Sequence, residues 1–247
     1  MRSNPLQICL LAAALAGSLG LAACSSGAGV PGGGDNNQIT FEPAFNAANF
    51  VAGVDNQYFP LTPGRAWTYS EGDKTVVVTV TDRTKTILGV VSIEVHDQVT
   101  KTAGGDLVED TLDWYAQDSA GNVWYMGEET AEYEGGVVVS TAGSWVAGVQ
   151  GAIAGIIMPA SPSVGQLYRQ EFLAGEAEDM AEVQLLGASA AVPFGDYNAN
   201  CVRTFDFTPL DSASKEQKYY APGVGMVLAV NTLTGEREEL TGIDLIQ

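Results

Sequence analysis

Apolar and polar residues alternate along most of the chain with a period of two, the spacing of a strand whose successive side chains point to opposite faces. Residues 76–81 read Val-Val-Val-Thr-Val-Thr, β-branched throughout, and residues 87–99 carry the same signature. Within the latter, Ile93, Val95 and Val99 share one face, and Glu94, His96 and Gln98 share the other. Residues 112–116 (Leu-Asp-Trp-Tyr-Ala) pair plausibly with residues 123–126 (Val-Trp-Tyr-Met). The link between them, 117–122, supplies Asp, Ser, Gly and Asn, which suit a tight hairpin turn. Further strands are predicted near 136–140, 167–173, 180–187, 200–207, 216–221, 225–231 and 237–246, with one short helix near 43–50. Regular short strands without strand–helix alternation predict a mostly β fold. The expected form is a single antiparallel curved sheet, as a half-barrel, barrel or sandwich, with few short helices.

Residues 144–163 break that rhythm. From Trp145 to Ala160 there is no charge and neither period is clean, and the run is too short and too glycine-rich to span a membrane as a helix. Two roles fit: a buried loop packed over one end of the core, or an apolar lid or groove wall facing a lipid-like ligand. In the second role Trp145, Val149, Ile153, Ile156, Ile157 and Met158 are the ligand-binding positions.

The N-terminus follows a different pattern. Arg2 gives a short positive start, an apolar Leu/Ala run extends from Leu6 to Leu21, and small residues lead to Cys24, the order of a secretory signal. Leu21-Ala22-Ala23-Cys24 resembles the lipobox of bacterial lipoproteins. That resemblance implies removal of residues 1–23 and acylation of Cys24. Two or more acyl chains hold a protein stably on a membrane, where one does so only marginally. Ser25, in place of an Asp, points to the outer membrane in an envelope that has one. Residues 24–38 then form the lipidated cysteine and a Gly/Ser-rich tether, and residues 39–247 a single β-rich domain. Of the three cysteines, Cys9 leaves with the signal and Cys24 is the lipid site. Cys201 is thus without an intramolecular partner and reads as a small buried hydrophobe on a strand.

Composition narrows the function. The 247 residues include 30 Asp and Glu against 11 Lys and Arg, a net charge of −19. With 46% hydrophobic residues the chain still buries a core, so it is not a disordered acidic tail. The charge argues against nucleic acid, which needs clustered cations, and against electrostatic docking on anionic lipid. It suits a crowded envelope surface, where it keeps neighbouring domains apart. The single histidine precludes a His-rich metal site. No Gly-x-Ser-x-Gly elbow or Walker loop occurs, no dinucleotide fingerprint stands between a strand and a helix, and no cofactor is expected. His96 and Asp97 are adjacent on a strand and face opposite ways, so they form no catalytic couple and His96 reads as solvent-facing. A glycosidase needs only two carboxylates, but the acids are so many that no pair stands out. The clusters at 128–134 and 176–182 read as solvated turns and edge-strand charges. No Asp-x-Asp-x-Asp-Gly calcium loop is present, and no metal site is assigned.

Three stretches carry a family resemblance. Residues 54–69, with Tyr58-Phe59-Pro60-Leu61, Pro63-Gly64 and Trp67-Thr68-Tyr69, are similar to the opening of a group of uncharacterised bacterial envelope lipoproteins. Asp113-Trp114-Tyr115-Ala116-Gln117-Asp118 with Gly121-Asn122-Val123-Trp124-Tyr125 is similar to their middle. Lys218-Tyr219-Tyr220-Ala221-Pro222-Gly223-Val224-Gly225 is similar to their final hairpin. The group has no settled activity, so the resemblance transfers no functional residue. More loosely, these motifs resemble the half-barrel domains of lipoprotein-carrier proteins, which implies a hydrophobic concave face. The same residues also suit turns and aromatic core positions. The expected function is non-enzymatic: a lipid-anchored envelope protein that binds an apolar ligand or a protein partner. The alternatives are a carboxylate-dependent hydrolase and a purely structural surface protein.

Overall fold

A computed structural model describes residue 39 and residues 41–245. The signal region, Cys24 and the tether lie outside the described residues. The domain is built almost wholly of strands, with one short 3-10 turn at Ala47–Asn49 within the predicted helical stretch. In chain order the strands are β1 Phe50–Val51, β2 Arg65–Glu71, β3 Lys74–Ile87, β4 Val90–Lys101, β5 Leu107–Asp118 and β6 Val123–Glu134. There follow β7 Val137–Ser140, β8 Trp145–Val146, β9 Ile153–Met158, β10 Leu167–Arg169 and β11 Glu171–Phe172. The remainder are β12 Met180–Val192, β13 Gly195–Phe207, β14 Lys215–Ala221, β15 Gly225–Asn231 and β16 Arg237–Leu245.

These strands form one antiparallel sheet in the order β10-β12-β13-β14-β15-β16-β2-β3-β4-β5-β6-β9-β11. Its two outermost strands, β10 and β11, are consecutive pieces of one segment interrupted only by Gln170. Leu167–Arg169 pairs with Glu182, Ala181 and Met180 of β12, and Glu171 and Phe172 pair with Ala154 and Ile153 of β9. One segment thereby serves both edges, and the sheet nearly closes into a barrel. Closure removes free edges that would otherwise template aggregation.

The closing point is tight. A Cβ on Gly155 of β9 would run into the Gln170 carbonyl and lie 2.6 Å from the Arg169 oxygen, so only glycine lets the two backbones approach this closely. Gln170 is fixed from both sides. Its N–H donates to the Asp179 carbonyl at 2.8 Å and its Nε2 to Asp206 Oδ2 at 3.0 Å.

The predicted pairings around 112–126 are present. Asp118 organises the hairpin turn by accepting from the Ala120 and Asn122 N–H groups, from Asn122 Nδ2 and from the Trp124 indole. Trp67, Tyr69, Trp114, Trp124 and Tyr220 are buried in the core, and Cys201 is fully buried on β13. Two expectations change. Residues 87–99 are not one strand: Leu88 and Gly89 both take positive φ (51° and 81°) and turn the chain between β3 and β4. Residues 144–163 are not a loop over the core. They supply wall strands β8 and β9, paired to β6 at Glu128↔Trp145 and Trp124↔Ile156.

Substituting Gly155→Ala is expected to lower stability by about 2–3 kcal/mol, because the added methyl forces backbone apart where no flexible side chain can yield. Gly195→Ala, which meets nothing within 4 Å, serves as the control and should leave the urea midpoint nearly unchanged. Equal midpoints for the two variants would contradict the closing contact.

Candidate functional site

Alternation in a closed sheet sends every second side chain inside, and here the interior divides into an apolar and an acidic part. Phe59, Leu61, Trp67, Tyr69, Val78, Val95, Tyr115, Tyr220 and Met226 line a cavity of about 40 Å³. That is far below the roughly 300–1,000 Å³ of pockets that hold small organic ligands. The apolar part is filled by its own side chains.

The acidic part is unusual in its charge. Glu71, Asp97, Glu109, Asp113, Glu128, Glu171, Asp206, Glu216 and Glu238 are all buried, and among the described residues Lys218 is the one buried lysine. Several are directly opposite one another in the sheet: Asp113 faces Glu128, and Glu71 faces Glu238. Lys218 lies 3.6 Å from both Asp206 and Glu216, and Lys74 lies 3.1 Å from Glu71. Burial pushes the Lys218 ammonium down, but Asp206, Glu216, Asp179 and Glu238 outweigh it and hold its pKa above the ordinary value.

Away from the lysines, burial holds several of the acids above the ordinary carboxylate range. Burial pushes Asp97 well above the carboxylate range, and the neighbouring Glu109 and Asp113 push it further. Neither of its oxygens finds a hydrogen-bond partner. Burial raises Asp113 to about 7, against the opposing hydrogen bond from Tyr125. Burial, then Asp113 and Glu171, raise Glu128 well above its usual value. Glu171 is raised by burial and by Asp179, with the Trp145 indole opposing.

Geometry reaches the same conclusion independently for one pair. The Tyr125 hydroxyl sits 2.5 Å from Asp113 Oδ1 and 2.9 Å from Glu128 Oε2. A hydroxyl has a single proton, so it donates to one oxygen and accepts from the other. At least one of the two acids is therefore protonated. The stacked ring of Tyr115 (4.9 Å between centroids) and the edge-on ring of Trp145 (5.2 Å) enclose Tyr125.

Near this pair the wall is incomplete. Past the pairing of β9 with β11, a slot of about 220 Å³ opens between the 144–150 strap and Leu173. Glu128, Glu129, Ser144, Trp145, Val146, Val149, Gln150 and Leu173 line it. Glu128 is wholly buried there, and its Oε1 has no hydrogen-bond partner.

The predicted ligand positions separate on this frame. Trp145, Ile156, Ile157 and Met158 are core residues, whereas Val149 and Ile153 are 54% and 52% exposed. Trp145 and Val149 meet at the slot. Ile153 and Ile156 line a separate space of about 70 Å³ beside Phe45, Trp124 and Arg169. The acid clusters need correction. Glu134 and Glu176 are exposed as expected, but Glu128 is fully buried, and Glu171, just before the second cluster, is too. His96 lies half-buried on the outer face, 2.9 Å from Asp110, while Asp97 faces inward as their adjacency requires. Among the described residues no group of three or more His, Cys, Asp or Glu is arranged to hold a metal ion, and no helix is long and apolar enough to cross a membrane. No family model, curated protein or solved structure matches the chain.

Acids whose pKa values are raised by folding bind protons more tightly folded than unfolded. Their contribution is fully present below the unfolded value and is lost as pH rises through the folded one. For Asp113, rising from 3.8 to about 7, the loss amounts to about 4 kcal/mol. The melting temperature is therefore expected to fall between pH 5 and pH 8, and Asp113→Asn should flatten that fall. A melting temperature that rises over this interval would contradict protonated interior acids.

Proposed function

We propose that the chain is an exported, lipid-anchored envelope protein that acts by binding, without chemistry of its own, and that its ligand or partner engages the wall slot. The observation that carries this reading is the slot itself. It is the largest of the described spaces, it opens to solvent, and it joins the exposed Val149 to the buried Trp145 and Glu128. Envelope anchoring is supported by the signal-like order of residues 1–23 and by Leu21-Ala22-Ala23-Cys24. The Gly- and Ser-rich composition of residues 24–38 suits a spacer between that cysteine and the domain.

Binding is favoured over hydrolysis by the state of the carboxylates. A glycosidase pair flanks an accessible bond with one acid ionised. Here Asp113 and Glu128 lie directly opposite in the sheet and share the Tyr125 hydroxyl, which sits between them where a scissile bond would have to lie. The outer face of β3 to β5 is polar, with Thr79, Thr81, His96, Gln98 and Asp110 outward. That surface, with the net charge of −19, fits a body kept off anionic headgroups and nucleic acid alike.

Expressed as the full chain in a host that processes lipoproteins, the protein should partition with membranes and carry an acylated N-terminal Cys24 by mass spectrometry. Cys24→Ala should move it to the soluble fraction with an unchanged melting temperature. Membrane association that survives Cys24→Ala would overturn the anchor.

A further inference from the structure

Resting on the binding reading above, the slot also specifies what it binds. We propose that it holds the ammonium group of a small organic amine, with Glu128 as the counter-ion and the strap as the apolar wall. Three independent features converge on that chemistry.

The first is an unanswered acceptor. Glu128 Oε2 accepts from or donates to Tyr125, but Oε1 has no partner although the residue is wholly buried and lines the slot. A buried polar atom without a partner is costly, and a donor supplied from outside relieves that cost. A ligand N–H is such a donor, and a charged one binds more strongly than a neutral one.

The second is the sign of the surroundings. The titratable groups that act on Glu128 are Asp113 and Glu109 on β5, Tyr125 on its own strand and Glu171 on β11. All are acids. The ammonium of Lys218 acts on Glu171 but is committed to Asp206 and Glu216. Glu129, on the outer rim, is answered by Lys85 at 3.2 Å. An ammonium entering the slot thus finds only acids around Glu128, with Lys85 held at the outer rim by Glu129.

The third is the wall. Trp145, Val146, Val149 and Leu173 are apolar. No three-ligand group suited to a metal ion is present among the described residues. A volume of about 220 Å³ admits a fragment-sized molecule. An organic cation with a short apolar body matches these walls better than a bare ion.

Because the Asp113–Tyr125–Glu128 cluster holds a proton in the empty protein, binding is an exchange. The ammonium enters, the cluster loses a proton to solvent, and a carboxylate–ammonium pair remains. Binding therefore tightens as pH rises, by about tenfold per pH unit while one proton is released per ligand.

The test uses the full chain with hexylammonium, hexanol, hexanoate and calcium chloride as probes, followed by titration calorimetry and amide NMR. Hexylammonium should bind saturably, with shifts centred on Trp145, Glu128 and Leu173, and more tightly at pH 7.5 than at pH 5.5. Hexanol and hexanoate should not bind. Glu128→Gln, which keeps shape and removes the charge, should weaken hexylammonium at least tenfold. Val149→Trp, placed on the exposed rim, should do the same by filling the mouth while leaving the fold intact. Hexanol binding as tightly as hexylammonium, displacement of hexylammonium by calcium, or retained affinity in Glu128→Gln would overturn the amine assignment. A neutral ligand co-purifying at the slot in native mass spectrometry would overturn it while sparing the binding function. Failure of every probe, with no ligand carried through purification, would remove both.

Discussion

Closing the sheet through the single segment 167–172 is the constraint on which the rest of the molecule depends. A nearly closed antiparallel sheet has one interior, and each strand must deliver every second side chain to it. The sequence places Asp97, Asp113, Glu171, Asp206 and Glu238 at such positions. Their burial follows from the topology, without any partner of opposite charge being provided for each. The barrel resolves the conflict in two ways. Lys218 and Lys74 neutralise the acids within their reach, and burial holds Asp97, Asp113, Glu128, Glu171 and Glu238 above the ordinary carboxylate range. Replacing a proton by an external cation is the third way, and the wall slot beside Glu128 is where the structure leaves room for it.

The same constraint explains the glycine at position 155. β9 and the 167–172 segment must come close enough for the chain to pass from one edge of the sheet to the other at Gln170. Anchoring Gln170 to Asp179 and Asp206 ties the closing point to β12 and β13. Closure and interior polarity are thus coupled through one residue. Asp206 accepts from Gln170 and Thr204 and also faces Lys218.

Much of this was visible in the pattern of residues. The β-branched runs, the Asp118 turn and the proline–glycine turns before β2 and β15 state the strands and their junctions directly. Alternation alone puts Asp97 on the face of Val95 and Val99. Glu128 was not visible, for a specific reason. Strict alternation from Tyr125 sends residue 128 outward. The pairing slips between Trp114 and Tyr115, so that Tyr115 opposes Tyr125 while Trp114 opposes Gly127. The extra residue, Met126, reverses the phase, and Tyr125 and Glu128 both point inward. Local sequence carries no mark of that bulge beyond the glycine. The 144–163 segment was ambiguous for a related reason. β9 is covered on both faces, so Ala154 and Ile156 to Met158 are buried alike and alternation disappears. Nor does any local signal tell that residues 167 and 172 lie at opposite edges of one sheet.

The central claim is that the Asp113–Tyr125–Glu128 cluster holds a proton in the empty barrel because closure buries both acids together. Side-chain carboxyl ¹³C shifts, recorded from pH 4 to pH 9 and assigned by Asp113→Asn and Glu128→Gln, test it most directly. The account predicts that at pH 6 the pair still carries at least one proton, with Asp113 titrating near 7 and Glu128 well above the usual carboxylate range. Two carboxylates both fully ionised at pH 5 would contradict it.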